Sequence, residues 1–294
     1  MNSTFLKIPV ALWLLFVFSA CSNNSVAPKD NNPKDTTHNH NPNDTTKMAT
    51  DTVTFSNIHS CMGIAADATP DDDYYMTKSQ YVLSYNRFKN VPNWVSWNLN
   101  ASWYGDVERR TGDFIPDRSL PDGWYQVRHS DYTNSGYDRG HMVRSEERTA
   151  TREDNDATFL MTNILPQYND MNAGPWGKLE NYCEDLCKEE NKELYLIAGG
   201  IFPAQPALLK EKVAVPDACF KIIVVLERGQ RLKDVTSATR IIAVTMPNVK
   251  GIRTNDWKMY RTTVDRIEQV TGYDFLKNIT KSVQDSLERK VDTF

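Results

Sequence analysis

Apolar positions recur with two different periods along the chain. Tyr81-Val82-Leu83-Ser84-Tyr85-Asn86 and Trp94-Val95-Ser96-Trp97-Asn98-Leu99 are short β-favouring runs joined by residues 87–92. That pattern predicts a hairpin in which Trp94 and Trp97 pack into a core. Three more runs predict strands, over 193–199, 218–226 and 240–246. Thr158 to Thr162 is also β-favouring and leads into Asn163. A period near 3.6 replaces the alternation at Trp176, Leu179, Tyr182, Cys183 and Leu186, which predicts a helix over about 175–190. Tyr260, Val264, Ile267 and Val270 predict a second over about 258–271, stopped at Thr271-Gly272. Residues 118–137 are rich in Pro, Gly, Asp and Ser and predict a loop. No repeat appears. The expected fold class is α+β, one domain over 52–294 with a mixed or antiparallel central sheet flanked by helices.

The residues before that domain carry a different pattern. An apolar run from Ile8 to Phe18 follows Lys7 and ends in Phe18-Ser19-Ala20-Cys21. It is short for a bilayer span, which takes about 20 apolar residues. Small residues before a cysteine, then an abrupt change to polar sequence, resemble a bacterial lipobox. Residues 1–20 are therefore expected to be a lipoprotein signal peptide, with lipid on Cys21 and the chain anchored in the cell envelope. Residues 21–51 are dominated by Asn, Asp, Thr, Pro and Lys and are expected to be a disordered tether. His38 and His40 within it read as solvated side chains, as does the acidic run Asp71-Asp72-Asp73 in the domain.

Charge and cysteine content refine the picture. The formal net charge is −4, whereas a nucleic-acid binder is usually basic. Binding to phosphate would therefore need a local basic cleft, since charges act over a Debye length of about 8 Å. Beyond Cys21 the chain has Cys61, Cys183, Cys187 and Cys219. An even number in an exported domain leads us to expect two disulfides, with four buried thiols as the alternative. No paired C-x-x-C spacing supports a zinc site.

Candidate chemistry concentrates in residues 138–180. Asp138-Arg139-Gly140-His141 ends the loop, Gly140 being expected to supply an unusual backbone angle beside the histidine. Thr162-Asn163-Ile164-Leu165-Pro166-Gln167 follows, and Asn172 precedes a helix that carries Trp176 and Glu180. An imidazole base, a carboxamide oxygen for a hard cation, and arginines for developing negative charge suit cleavage of a phosphodiester. A ββα arrangement would bring His141 on a strand to face Asn172 at the helix. Upstream, Arg109 and Arg110 precede a Gly/Pro loop where a planar guanidinium could reach phosphate. His129 reads as a structural or surface residue.

This set of residues resembles the DNA/RNA non-specific endonucleases of the ββα-metal, or His-Me finger, superfamily. The likeness rests on Asp138-Arg139-Gly140-His141, Thr162-Asn163, Pro166-Gln167, Asn172, Trp176 and Leu179-Glu180. Flanking stretches such as Asn93-Trp94-Val95-Ser96-Trp97 and Thr271-Gly272-Tyr273-Asp274-Phe275-Leu276 extend it over about residues 60–280. The resemblance implies that His141 is the general base and that Asn172 is the single protein ligand of one Mg²⁺, with Mn²⁺ or another divalent cation as substitute. It implies that Glu180 holds metal-bound water and that Asn163 positions His141 or the metal's water shell. Arg139 would contact phosphate or shape the site, and Arg110 would be the upstream transition-state arginine, Arg109 remaining an alternative. Arg109, Arg144 and Gln167 are expected to contact substrate. The expected activity is hydrolysis of DNA and RNA with little sequence preference, leaving 5′-phosphate ends. A phosphodiesterase of small nucleotides and a non-catalytic nucleic-acid-binding lipoprotein are the competing readings.

Overall fold

The computed structural model describes residues 57–294, so the leader, the tether with His38 and His40, and Cys21 lie outside the described residues. The strands are β1 (Tyr74–Thr77), β2 (Val82–Asn86), β3 (Val91–Leu99), β4 (Asp138–His141), β5 (Ile164–Gln167), β6 (Lys192–Ile201), β7 (Leu208–Leu209), β8 (Val213–Ala214), β9 (Ala218–Glu227), β10 (Arg240–Pro247) and β11 (Arg261–Thr262). The α-helices are α1 (His129–Tyr132), α2 (Arg152–Thr158), α3 (Asn169–Met171), α4 (Gly177–Lys188), α5 (Val264–Thr271) and α6 (Lys281–Glu288). Seven strands form one antiparallel sheet in the order β1-β2-β3-β6-β9-β10-β11. The α+β expectation is met, with an antiparallel sheet.

The sheet separates two apolar cores, and strand periodicity does the sorting. Along β9, Cys219, Ile223 and Val225 enter one core while Phe220, Ile222, Val224 and Leu226 enter the other. In β6, Leu194, Leu196 and Ala198 face the first core, and Tyr195 and Ile197 the second. Successive side chains point to opposite faces, so a nearly continuous apolar run marks a strand covered on both sides. The first core is closed by α4 through Leu179, Cys183, Leu186 and Cys187. The second is closed by Cys61 and Met62 from the start of the domain and by α5 and α6 from its end. An isolated bridge between Ala66 and Asp274, and the hydrogen bond from Tyr273 Oη to Asp73 at 2.8 Å, join those two ends.

Local structure departs from the sequence pattern at four places. Residues 158–162 are not a strand: Thr151 caps α2 by accepting from the Asp154 N–H, the helix runs to Thr158, and a single 3₁₀ turn leads to β5. The second apolar helix begins only at Val264, because Arg261 and Thr262 pair with Val244 and Ala243 of β10 and Thr263 caps the helix. Its end is as expected, with Gly272 left-handed at φ 81°. Gly140 has no positive φ; it lies in β4 opposite Leu165. The four domain cysteines are free and buried, so the expected disulfides are absent among the described residues. Burial pushes the Cys183 and Cys219 thiols up to about 12.

Candidate active site

Two short strands and one distorted helix start build the site. β4 pairs antiparallel with β5, placing His141 opposite Ile164 and Asp138 opposite Gln167. The chain then enters α3, a π-turn over Asn172–Trp176, and α4. Pro175 has no N–H to continue the α-helical ladder, and Gly174 leaves the helical region at φ −102°, ψ −118°. A Cβ on Gly174 would lie 2.8 Å from the Arg253 Cα, so this turn also seats the loop after β10. Lys178 fastens that loop by donating to the carbonyls of Thr254 at 3.0 Å and Asn255 at 2.9 Å. Asp138 ties strand to turn, since its Oδ2 accepts from Asn172 Nδ2 at 3.0 Å and Asn169 Nδ2 at 2.8 Å.

His141 is wedged between aromatic rings. Phe114 and Phe159 each lie 5.1 Å from it, centroid to centroid. Its Nε2 is buried and has no hydrogen-bond partner. Burial first, then the positive charges of Arg109 and Arg144, hold the imidazole down to about 3, so it is neutral near pH 7. Nδ1 is the more open nitrogen, and no hydrogen bond engages it among the described residues. A neutral imidazole with a free lone pair is what a general base requires.

The arginines separate. Arg109 stacks on Phe159, its guanidinium carbon 5.3 Å from the ring that packs on His141. Arg110 is held by Asp156 at 3.2 Å, and its backbone N–H donates to Asn155 Oδ1 at 2.7 Å. Arg109 has an acidic neighbour as well, its Nε lying 3.9 Å from Glu146 Oε1. Arg139 lies over Phe114 and Tyr132 and donates from Nη2 to the His129 carbonyl at 2.8 Å, which makes it a wall of the site. His129 is indeed structural, its Nδ1 accepting from the Phe114 N–H at 3.2 Å. Arg144 is engaged by Asn181 at 2.8 Å, Glu146 at 3.1 Å and Glu184 at 3.4 Å, so it joins the β4 exit to α4 and does not lie free in a groove.

Asn163 and Gln167 are scaffold. Fully buried Asn163 accepts from the Val143 N–H and donates to the Val143 and Thr158 carbonyls, each at 2.9 Å. It thus fixes the backbone just after His141 and not a water shell. Gln167 is fully buried and donates to Cys219 Sγ at 3.5 Å, so the expectation that it touches substrate is not met. Its side chain packs against Gly140: a Cβ there would lie 2.0 Å from Gln167 Oε1. Glycine is needed at 140 for close approach.

Glu180, in the first turn of α4, is nearly buried, and its Oε1 is 3.5 Å from Lys221 Nζ. Burial raises its carboxyl above the usual range, with Lys221 acting in the opposite direction. Sequence reading missed Lys221, because the apolar run around it predicts only a strand. It also missed Phe114 and Phe159, whose convergence on His141 comes from a bridge between Ile115 and Leu160.

A family model described as DNA/RNA non-specific endonuclease matches residues 62–282. The chain belongs to that family. Among relatives of this nuclease-family chain is the Nuclease of a Nostoc species, 48% identical over 240 residues, covering 80% of this chain and 86% of that protein. Human mitochondrial Endonuclease G is 26% identical over 215 residues, with 69% of each chain covered. The crystal structure of the EndoG/EndoGI complex superposes with a TM-score of 0.63 at 26% identity, covering 75% of this chain and 90% of that one.

Family members depend on a divalent metal. The donor set here fits one. Asn172 Nδ2 is committed to Asp138, which orients the amide and leaves Oδ1 without a hydrogen bond among the described residues. Glu180 adds a carboxylate two turns further along the same helical segment. Oxygen-only donors suit a hard cation that keeps most of its waters, such as Mg²⁺ or Mn²⁺, and not a thiolate-bound metal.

Proposed function

We propose that this chain is a Mg²⁺- or Mn²⁺-dependent endonuclease that hydrolyses DNA and RNA with little sequence preference. It leaves 5′-phosphate and 3′-hydroxyl ends. The single observation that carries the reading is the neutral His141, with Nδ1 uncommitted, on a strand hydrogen-bonded through Asp138 to the Asn172 turn. His141 Nδ1 takes the proton of the attacking water. Phe114 and Phe159 exclude bulk water from the other side of the ring and keep it neutral. Arg110 or its neighbour Arg109, together with Arg139, supplies positive charge for the phosphate oxygens, a role suited to guanidinium geometry. Asn172 Oδ1, with Glu180 beside it, would hold a divalent cation, which would supply Lewis-acid stabilisation of developing charge. The lipobox-like Phe18-Ser19-Ala20-Cys21 supports a lipid anchor on Cys21 and a place in the cell envelope.

The test incubates the soluble domain with plasmid DNA and with RNA in Mg²⁺ or Mn²⁺, with and without chelator. Cleavage of both that chelator abolishes is expected; no cleavage of either under any divalent metal refutes the reading. His141→Ala is expected to lower kcat by roughly 10²- to 10⁴-fold while DNA binding persists. The acidic balance of the chain keeps one second reading open to the same assay. Faster turnover of bis-nitrophenyl phosphate than of polymeric DNA identifies a small-ester phosphodiesterase.

A further inference from the structure

β9 is apolar from Cys219 to Leu226 except at Lys221, which has no solvent exposure. An ammonium in that position is costly, several kcal/mol after relaxation, unless a partner compensates it. A methionine of similar volume would fill the same space at no such cost, so packing alone does not account for a lysine. Its surroundings are specific. Nζ lies 4.1 Å from the Trp176 ring centroid, 5.6 Å from that of Trp97, and 3.5 Å from Glu180 Oε1. Trp97 in turn donates through Nε1 to Glu147 Oε2 at 2.9 Å, leaving Glu147 Oε1 buried without a partner. Two carboxylates, Glu180 and Glu147, are thus buried near this ammonium, and Arg148 is buried beside Glu147. Of the two, Glu180 is the one paired with Lys221, and it lies at the boundary between core and site, its side chain 10% exposed. Oε1 faces the lysine, while Oε2 accepts no hydrogen bond from the described residues.

We propose that Lys221 is a positioning residue for the reaction. From the core side it holds Glu180 Oε1, so that Oε2 is presented to the cation that Asn172 binds. Trp176, at the end of the Asn172 turn, lies over the same ammonium and links the metal-ligand turn to it. The inference rests on the metal-dependent reading above, which plasmid cleavage by the unaltered chain tests separately.

The experiment measures Mn²⁺ binding by titration calorimetry, without substrate, on the full folded domain and on Glu180→Gln, Lys221→Met and the double variant. Loss of a group that orients a metal's outer ligands typically weakens binding about 10- to 100-fold. Lys221→Met is expected to weaken Mn²⁺ binding by at least about 10-fold. The double variant is expected to bind within about twofold of Glu180→Gln, because Lys221 acts through Glu180 and the two effects do not add. Mn²⁺ binding by Lys221→Met equal to that of the parent overturns the proposal. So does a double variant weaker than Glu180→Gln by the full lysine factor. Should Lys221→Met leave an uncompensated carboxylate and fail to fold, the double variant, with both charges removed, still decides by the same comparison. A double variant that fails to fold where Glu180→Gln folds would place the need for Lys221 elsewhere in the core, and would also overturn it.

Discussion

Replacing Gly140 by alanine perturbs the site without touching any group that does chemistry. The added Cβ would lie 2.0, 2.3 and 2.6 Å from Oε1, Cδ and Cγ of Gln167. Ordinary contacts begin beyond 3 Å, so one side must move. Gln167 cannot swing to solvent, because it is fully buried and tethered to Cys219. β4 and β5 must separate instead. Overpacking of this kind costs about 1–3 kcal/mol, and losing the Gln167 hydrogen bond costs about 1 kcal/mol more. A total near 3 kcal/mol corresponds to a fall in Tm of roughly 6–12 °C for a domain of this size. Differential scanning calorimetry of Gly140→Ala, Gln167→Ala and the double variant measures it. The double variant should melt close to Gln167→Ala, since the shortened side chain makes room for the new methyl. The reasoning is refuted if Gly140→Ala melts within about 2 °C of the parent, or if the two losses simply add.

Three further outcomes follow from the same structure. His141 is held down to about 3, so the acid limb of kcat/KM, measured on a small phosphodiester, should show no titration near 6.5; a limb at that pH contradicts the buried-base description. Because the folded-state value lies below the unfolded 6.5, the unfolded chain binds the extra proton first, and this residue lowers stability as pH falls from 6.5 towards 3. Glu288 behaves oppositely: burial beside Glu268 and Asp265 raises it to about 7, so its contribution is present below about 4.5 and lost as pH rises through 7. Glu288→Gln should therefore stabilise the domain at pH 8 by about 1 kcal/mol after solvent screening, with no gain at pH 4.5, and equal melting shifts at both pH values would contradict it. With all four domain cysteines free, adding reductant should leave Tm unchanged, and a fall of several degrees would reveal a disulfide.

Much of this was legible in the chain itself. The runs over 193–199, 218–226 and 240–246 lie within β6, β9 and β10, since a strand covered on both faces needs apolar residues at every position. Asp138-Arg139-Gly140-His141 and Asn172 are local features, and a hydrogen bond from Asn172 to Asp138 ties the two segments together. What escaped was set by long-range contact. Residues 158–162 favour strand by composition, yet Thr151 caps a helix that runs through Thr158. Gln167 and Asn163 read as functional polar groups until burial shows them to be scaffold. Lys221 hides inside an apolar run, and only its face of the sheet, opposite Glu180, gives it meaning. Arg109 and Arg110 are adjacent in sequence yet turn to different partners, Phe159 and Asp156, which no local pattern encodes.

The junction between the domain's two ends has a consequence for how the protein is made. Asn278 donates to the Cys61 carbonyl at 3.1 Å, Tyr273 reaches Asp73, and Ala66 bridges Asp274. Synthesis delivers one partner of each contact some 200 residues before the other. Until the last helices leave the ribosome, the sheet face bearing Trp94, Phe220, Ile222 and Val224 has no cover from α5 and α6. That cover comes from residues later in the sequence than every member of the catalytic cluster. In this hydrolase of nucleic acid, the seal over one face of the sheet is thus completed only by residues that follow the whole catalytic cluster in the sequence.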